Sequence, residues 1–237
     1  MSIPKIIVVL ILTAVVPVCA ATIIASGAGA LPGSAEDLTS VFPTEIIGAV
    51  SDITDPLLGV NMFAINILNP AAFSAVVVGS PFGIPDTVLS LFDSTGVGVY
   101  LNDDMGGSDP LAYTLSCLPS VIANPCPSAQ PPGVGPMSVG VYYLAVSVSS
   151  NYPVSSTGEI FSPVATTDVV GPDPLNGGPN PITGWDGFAF TGPDPDLSGY
   201  DIVLTGTTPE PSTWIMTGVA CILLALLRRS SATPRTR

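Results

Sequence analysis

Carboxylates carry nearly all the chemistry open to this chain. Asp93, Asp103, Asp104 and Asp109 stand at turn positions around one short apolar run, where a hairpin would gather them into an oxygen-rich cluster. Such a cluster suits Ca²⁺, a hard cation that takes about 6 to 8 oxygen ligands, and no other cofactor is indicated. A second acidic run, Asp194-Pro195-Asp196-Leu197-Ser198-Gly199, has oxygens at alternate positions and a glycine sixth, as at the opening of a Ca²⁺ loop. It departs from that pattern at Pro195 and at Thr205, where the closing acid would stand. The competing reading of both runs is that Asp, Asn, Ser and Gly make turns through side-chain to backbone hydrogen bonds.

Catalysis has few groups to draw on. The chain has no histidine, and its five basic residues are Lys5, Arg228, Arg229, Arg235 and Arg237, all near the termini. Between residues 21 and 208 there is thus no triad base, Schiff-base lysine or anion clamp. Only a carboxylate pair of the glycoside-hydrolase kind is left, for which Asp103 with Asp104, or Asp186 beside Trp185, are the candidates. An aromatic packed next to a turn acid is the simpler reading of Trp185-Asp186, and the expectation is a protein that is not an enzyme.

The same distribution of charge bears on partners. All 18 acidic residues except Glu210 lie between 21 and 208, so no carboxylate there can pair with a cationic side chain. Each must be solvated, hydrogen-bonded to a neutral donor, protonated or bound to a metal ion. Nucleic acid is excluded as a partner, because phosphate neutralisation needs Lys or Arg. Anionic polysaccharide would be repelled unless divalent cations bridge it. Of four cysteines, Cys19 and Cys221 sit in the apolar terminal segments, which leaves Cys117 and Cys126 to form one disulfide in an oxidising exterior. A metal or redox pair is the alternative, but no soft third ligand is near and the spacing is not Cys-x-x-Cys.

The C-terminus reads as an address. Pro209-Glu210-Pro211 is followed by 16 uncharged residues, Ser212 to Leu227, with an apolar run from Trp214, and then by Arg228-Arg229. At about 1.5 Å per residue that stretch spans roughly 24 Å as a helix, enough for a thin or thinned bilayer. The arginines stop transfer on the cytoplasmic side, and Trp214 suits the opposite interface. The two prolines keep the preceding segment extended. This layout resembles the PEP-CTERM sorting signal of exported bacterial proteins. The resemblance implies recognition and removal of the tail by an exosortase, a membrane enzyme often associated with exopolysaccharide machinery. The tail beyond the arginines, Ser230 to Arg237, is longer than that pattern's abrupt ending. A plain C-terminal membrane anchor is the competing reading.

At the other end, Lys5 and the apolar run Ile6 to Val18 form a signal peptide, with small residues favouring cleavage after Ala20 and a second site after Ala30. Val18 is larger than the residue that usually precedes a lipidated cysteine, which argues against acylation of Cys19.

Between these ends, 26 prolines and 24 glycines combined with high apolar content point to a loop-rich all-β domain rather than to disorder. Residues 21 to 55 show little strand character beyond a short helix starting near Ser34, and read as a lead-in. From Val60 the period becomes two. Phe63, Ile65 and Ile67 share a face, and strands are expected at Phe73 to Val78, Thr87 to Phe92, Val97 to Leu101, Ala112 to Ser116, Val139 to Val148, Glu159 to Val164, Gly187 to Thr191 and Tyr200 to Leu204. Asp93-Ser94-Thr95-Gly96 makes a hairpin turn. Residues 139 to 148 are apolar on both faces, as in a central strand. Six prolines from Cys117 to Pro136 interrupt regular structure.

The run Asp86 to Gly96, then Asn102-Asp103-Asp104, then Gly140 to Ser147 resembles the bacterial pre-peptidase C-terminal type of domain. The resemblance covers about residues 60 to 148 and implies a jelly-roll-like β-sandwich with binding or folding roles and no catalysis of its own. The expectation from sequence is therefore a signal peptide over 1–20, a lead-in over 21–55, a sandwich of eight or nine strands over 56–206, and a sorting signal with one transmembrane helix over 207–237. The function expected is that of a non-enzymatic exported envelope or extracellular-matrix protein, tethered transiently to the membrane and processed by signal peptidase and an exosortase. The alternative is a Ca²⁺-assisted carbohydrate-binding module, with exopolysaccharide as partner and Tyr100, Tyr152 and Trp185 as stacking platforms.

Overall fold

Strands that are apolar on both faces need cover on both faces, and the fold supplies it with three stacked sheets. The computed structural model describes residues 21–50, 57, 59–79, 86–106, 115–122, 125–149, 151–162, 167–187 and 198–209. These lie within one compact unit, Ala20–Glu210. The chain is all-β. In order, the strands are β1 (Ala21–Ile24), β2 (Glu36–Asp37), β3 (Pro43–Val50), β4 (Val60–Ile67), β5 (Ser74–Gly79), β6 (Thr87–Asp93) and β7 (Gly98–Asn102). They continue with β8 (Cys117–Leu118), β9 (Gly140–Val148), β10 (Pro153–Ser155), β11 (Gly158–Glu159), β12 (Ile182–Trp185) and β13 (Ser198–Thr205).

The middle layer is a five-stranded sheet ordered β2-β4-β9-β6-β7. β9 lies at its centre, antiparallel to β4 and β6, as its two-sided apolarity requires. On one face Phe63, Ile65 and Ile67 of β4, Leu89 and Leu91 of β6, and Leu144 and Val146 of β9 pack against a second five-stranded sheet, β1-β3-β13-β5-β8. That sheet contributes Ile46, Val77, Tyr200 and Ile202 to the shared core. Phe63 meets Tyr200 edge-on with ring centroids 6.4 Å apart. On the opposite face Met62, Val88, Phe92 and Ala145 pack beneath Ile160, Phe161, Ile182 and Trp185. This outer cover belongs to the third sheet, β11-β10-β12, and to the segments beside it. Its approach is close. A methyl group at Gly98 in β7 would lie 2.5 Å from Ile160 Cγ2 and 2.8 Å from Phe161 Cζ, so only glycine fits there.

Several expectations need correction. Residues 21–50 are not a lead-in, because β1 and β3 are built into one sheet and β2 runs parallel to β4 in the other. In place of a helix beginning at Ser34 there is a single 3-10 turn, Pro32–Ser34, followed by β2. Strand β12 ends at Trp185; of the strand expected at 187–191 only Gly187 is among the described residues, and it takes a left-handed conformation (φ 77°). The described residues hold thirteen strands rather than eight or nine, since six are four residues or shorter and carry no readable period. The expected returning strand at 112–116 falls mostly outside the described residues. No helix among them is long and apolar enough to cross a membrane. The segments expected to form the signal helix and transmembrane helix, with Glu210, Pro211, Arg228 and Arg229, lie outside them. Pro209 is described and exposed.

Cys117 and Cys126 form a disulfide with a Cα–Cα distance of 5.7 Å. It joins the edge strand β8 to the proline-rich segment that follows.

Candidate functional site

Hairpin topology decides which acids can meet. β6 and β7 are antiparallel, with Leu89 opposite Asn102 and Leu91 opposite Tyr100. The turn at Asp93–Gly96 therefore closes one end of the hairpin, while the residues before β6 and after β7 come together at the other. With about 3.3 Å per strand residue, Asp93 is roughly 20 Å along β6 from Asp86. Asp93 accordingly does not join Asp103 and Asp104. Its Oδ1 accepts hydrogen bonds from the Thr95 N–H (2.8 Å), the Thr95 hydroxyl (2.7 Å) and the Val97 N–H (3.1 Å), and Gly96 adopts φ 85° to complete the turn. This is the turn-forming alternative in full.

The acid that does join them is Asp86. One carboxylate oxygen from each of Asp86, Asp103 and Asp104 lies within 4.8 Å of the others. The positions follow from the backbone. Asp86 leads into β6, and its carbonyl accepts the Ser149 N–H at 2.9 Å, which ties it to the end of β9. Asp103 and Asp104 follow β7 directly, and their turn is held by the wholly buried Asn102. The Asn102 amide donates to the carbonyls of Asp104 (2.9 Å) and Asp168 (3.2 Å), and its Oδ1 accepts the N–H of Cys117 at 2.8 Å. The asparagine of Asn102-Asp103-Asp104 is thus a positioning residue, linking the acidic turn to the disulfide-bearing strand.

The carboxylates are unequal. Asp86 is exposed at the rim, whereas Asp103 and Asp104 are 2 % and 7 % exposed. Asp103 Oδ2 accepts the Tyr152 hydroxyl at 2.7 Å, while Oδ1 is enclosed with no hydrogen-bond partner among the described residues. Burial pushes the Asp103 carboxyl up to about 6; the Tyr152 hydrogen bond works against this, and the charges of Asp104 and Asp86 add to it. Asp86 is raised too, first by partial desolvation and then by Asp104. Tyr152 is pushed above the usual phenol range, first by burial and then by its bond to Asp103, and stays a donor.

A pH dependence follows. With a folded pKa of about 6 against about 3.9 unfolded, Asp103 holds a proton in the folded state over a window where the unfolded chain has lost it. Its contribution to stability is present below about pH 4 and lost as pH rises through 6. In chelator-containing buffer, the wild type should gain about 1 kcal/mol from this group between pH 7.5 and pH 5. Asp103→Asn should lack that part of the gain in urea melts at the two pH values; equal gains in both proteins would contradict the assignment. Desolvation shifts Asp86, Asp186 and Asp201 in the same direction, whereas hydrogen bonds from Thr39 and from Ser162 hold Asp37 and Asp173 below the usual carboxylate range.

Other candidate residues are accounted for structurally. Tyr100 is fully buried between the two five-stranded sheets. Trp185 is 7 % exposed and donates its Nε1–H to the Ala30 carbonyl at 2.9 Å. Neither can stack on a sugar ring. Asp186 accepts the Tyr152 N–H at 2.8 Å and so anchors the strand that follows Tyr152. Asp109 and residues 194–197 lie outside the described residues. Ser198 to Thr205 form a strand paired on both sides, by β3 and β5, which is incompatible with a twelve-residue ion-binding loop ending at Thr205. An open groove beside Pro70, Val121, Pro131, Val134 and Met137 has no acid in its lining. The chain matches no protein-family model, and no curated protein is significantly similar to it in sequence.

Proposed function

We propose that this chain is a non-enzymatic exported protein of the cell envelope or extracellular matrix, a β-sandwich cargo sorted through a C-terminal PEP-CTERM signal by an exosortase-type enzyme. One observation carries the reading: every basic side chain lies in the first five or last ten residues, while the segment between is a disulfide-bridged, cation-free β-structure. Topogenic charge and folded cargo are thus separate. The disulfide accords with an oxidising exterior.

The position of the first strand supports cleavage after Ala20. β1 begins at Ala21, and Thr22 Oγ1 donates to Glu45 Oε2 at 2.5 Å. Cleavage after Ala30 would remove this strand, the Gly29 carbonyl that accepts the Met62 N–H, and the Ala30 carbonyl held by Trp185. At the other end β13 closes at Thr205, and Pro209 follows it on the surface, so the sorting motif begins just past the last strand. The strands carrying the pre-peptidase C-terminal resemblance, β6, β7 and β9, are adjacent members of the middle sheet, and a jelly-roll-like arrangement of the sandwich is part of this proposal. The intact mass of the protein recovered from envelope and medium tests the reading.

A further inference from the structure

The acidic corner of the middle sheet carries an inference that does not depend on sorting. Asp103 is 2 % exposed, yet its Oδ1 has no hydrogen-bond donor among the described residues. An enclosed carboxylate oxygen in that condition is strongly disfavoured unless something neutralises it. Between residues 21 and 208 the sequence has no Lys, Arg or His to do so. The side-chain donors to this carboxylate among the described residues, Tyr152 and Ser149, are both neutral, and two further acids, Asp86 and Asp104, stand against it. Neutralisation of the cluster therefore falls to a proton or to a cation from outside these residues.

We propose that Asp86, Asp103 and Asp104 bind one Ca²⁺ ion. Two oxygens on the same Ca²⁺, each about 2.4 Å away, can be at most about 4.8 Å apart, and the three carboxylates meet that limit. The donor set is all oxygen, with neither thiolate nor imidazole, which selects a hard cation over Zn²⁺ or Cu²⁺. Mg²⁺ demands a near-ideal octahedron of shorter bonds, whereas Ca²⁺ accepts irregular carboxylate sets completed by water or carbonyl oxygens. Exposed Asp86 gives a hydrated ion its entry, and buried Asp103 supplies the anchoring oxygen. The ion staples the start of β6 to the exit of β7, where neither strand is held by the hairpin turn.

Calorimetric titration and thermal melting of the full-length chain, stripped with EGTA and titrated with CaCl₂, test this. One ion per chain is expected, with Tm rising by roughly 5 to 10 °C at Ca²⁺ about 100 times Kd. Asp86→Asn sits at the exposed rim and should fold normally while weakening Ca²⁺ binding about ten-fold or more. Asp93→Asn, whose carboxylate serves its own turn, should bind Ca²⁺ as the wild type does. No heat and no change in Tm up to about 10 mM Ca²⁺ would overturn the proposal. So would an Asp86→Asn variant that titrates like the wild type, or a Mg²⁺ response equal to that of Ca²⁺. None of these outcomes touches the processing of the termini.

Discussion

Trp185→Ala is expected to destabilise the protein by about 3 to 5 kcal/mol and to lower Tm by roughly 10 to 15 °C. The indole fills the space between the middle sheet and the outer β10–β12 cover, against Ala30 and Ile182 among others. Its removal leaves a cavity, takes apolar area out of the second core, and strips the Ala30 carbonyl of the Nε1–H bond. Trp185→Phe should recover much of the packing but not the hydrogen bond, and should fall between the two. Paired urea and thermal melts read the effect. An alanine variant with wild-type stability would contradict the buried placement and return Trp185 to the surface as a ligand platform.

Breaking the Cys117–Cys126 bridge should have the next largest effect. The two cysteines are nine residues apart, and closing so short a loop stabilises the fold by about 2 to 3 kcal/mol in the chain-entropy account. Cys117→Ala/Cys126→Ala should therefore melt roughly 5 to 10 °C lower, and reduction of the wild type should give the same shift. The loss should reach the acidic corner as well. The Cys117 N–H is bonded to Asn102 Oδ1, and Asn102 holds the turn that carries Asp103 and Asp104. Reduced and oxidised proteins with equal Tm would show that the bridge adds nothing to the folded chain.

The strands that can be read from sequence are those with long, regular alternation. Phe63, Ile65 and Ile67 share a face as their spacing predicts, and β9 occupies the centre of its sheet. β3 escaped recognition for two local reasons. It begins at Pro43 and contains Gly48, both weak strand signals. Gly48 is there because the Tyr200 ring lies over it, leaving no room for a Cβ, and that partner is some 150 positions away in sequence. β10 to β12 are too short to show any period. The two-sided apolarity of β9 was visible, but not that a third sheet supplies the outer cover.

The acidic site shows the same division. Asp103 and Asp104 were recognisable as a pair after a strand, and the third acid was misplaced only because the hairpin was treated as bringing its turn toward its ends. Counting register back from the Asp93–Gly96 turn sets the residue before β6 opposite the residues after β7, which names Asp86 without a structure. Burial of Tyr100 and Trp185 was not readable in that way. An aromatic in a strand, whether flanked by Val99 and Leu101 or by Gly184 and Asp186, looks alike whether it faces solvent or a second layer.

In the proposed function the cation-free segment is parted from both charged ends, and intact mass spectrometry of the mature protein from cell envelope and medium tests that step. The predicted species begins at Ala21, contains the Cys117–Cys126 disulfide and lacks Trp214 to Arg237. A mature chain that retains Trp214 to Arg237 in both fractions would contradict it.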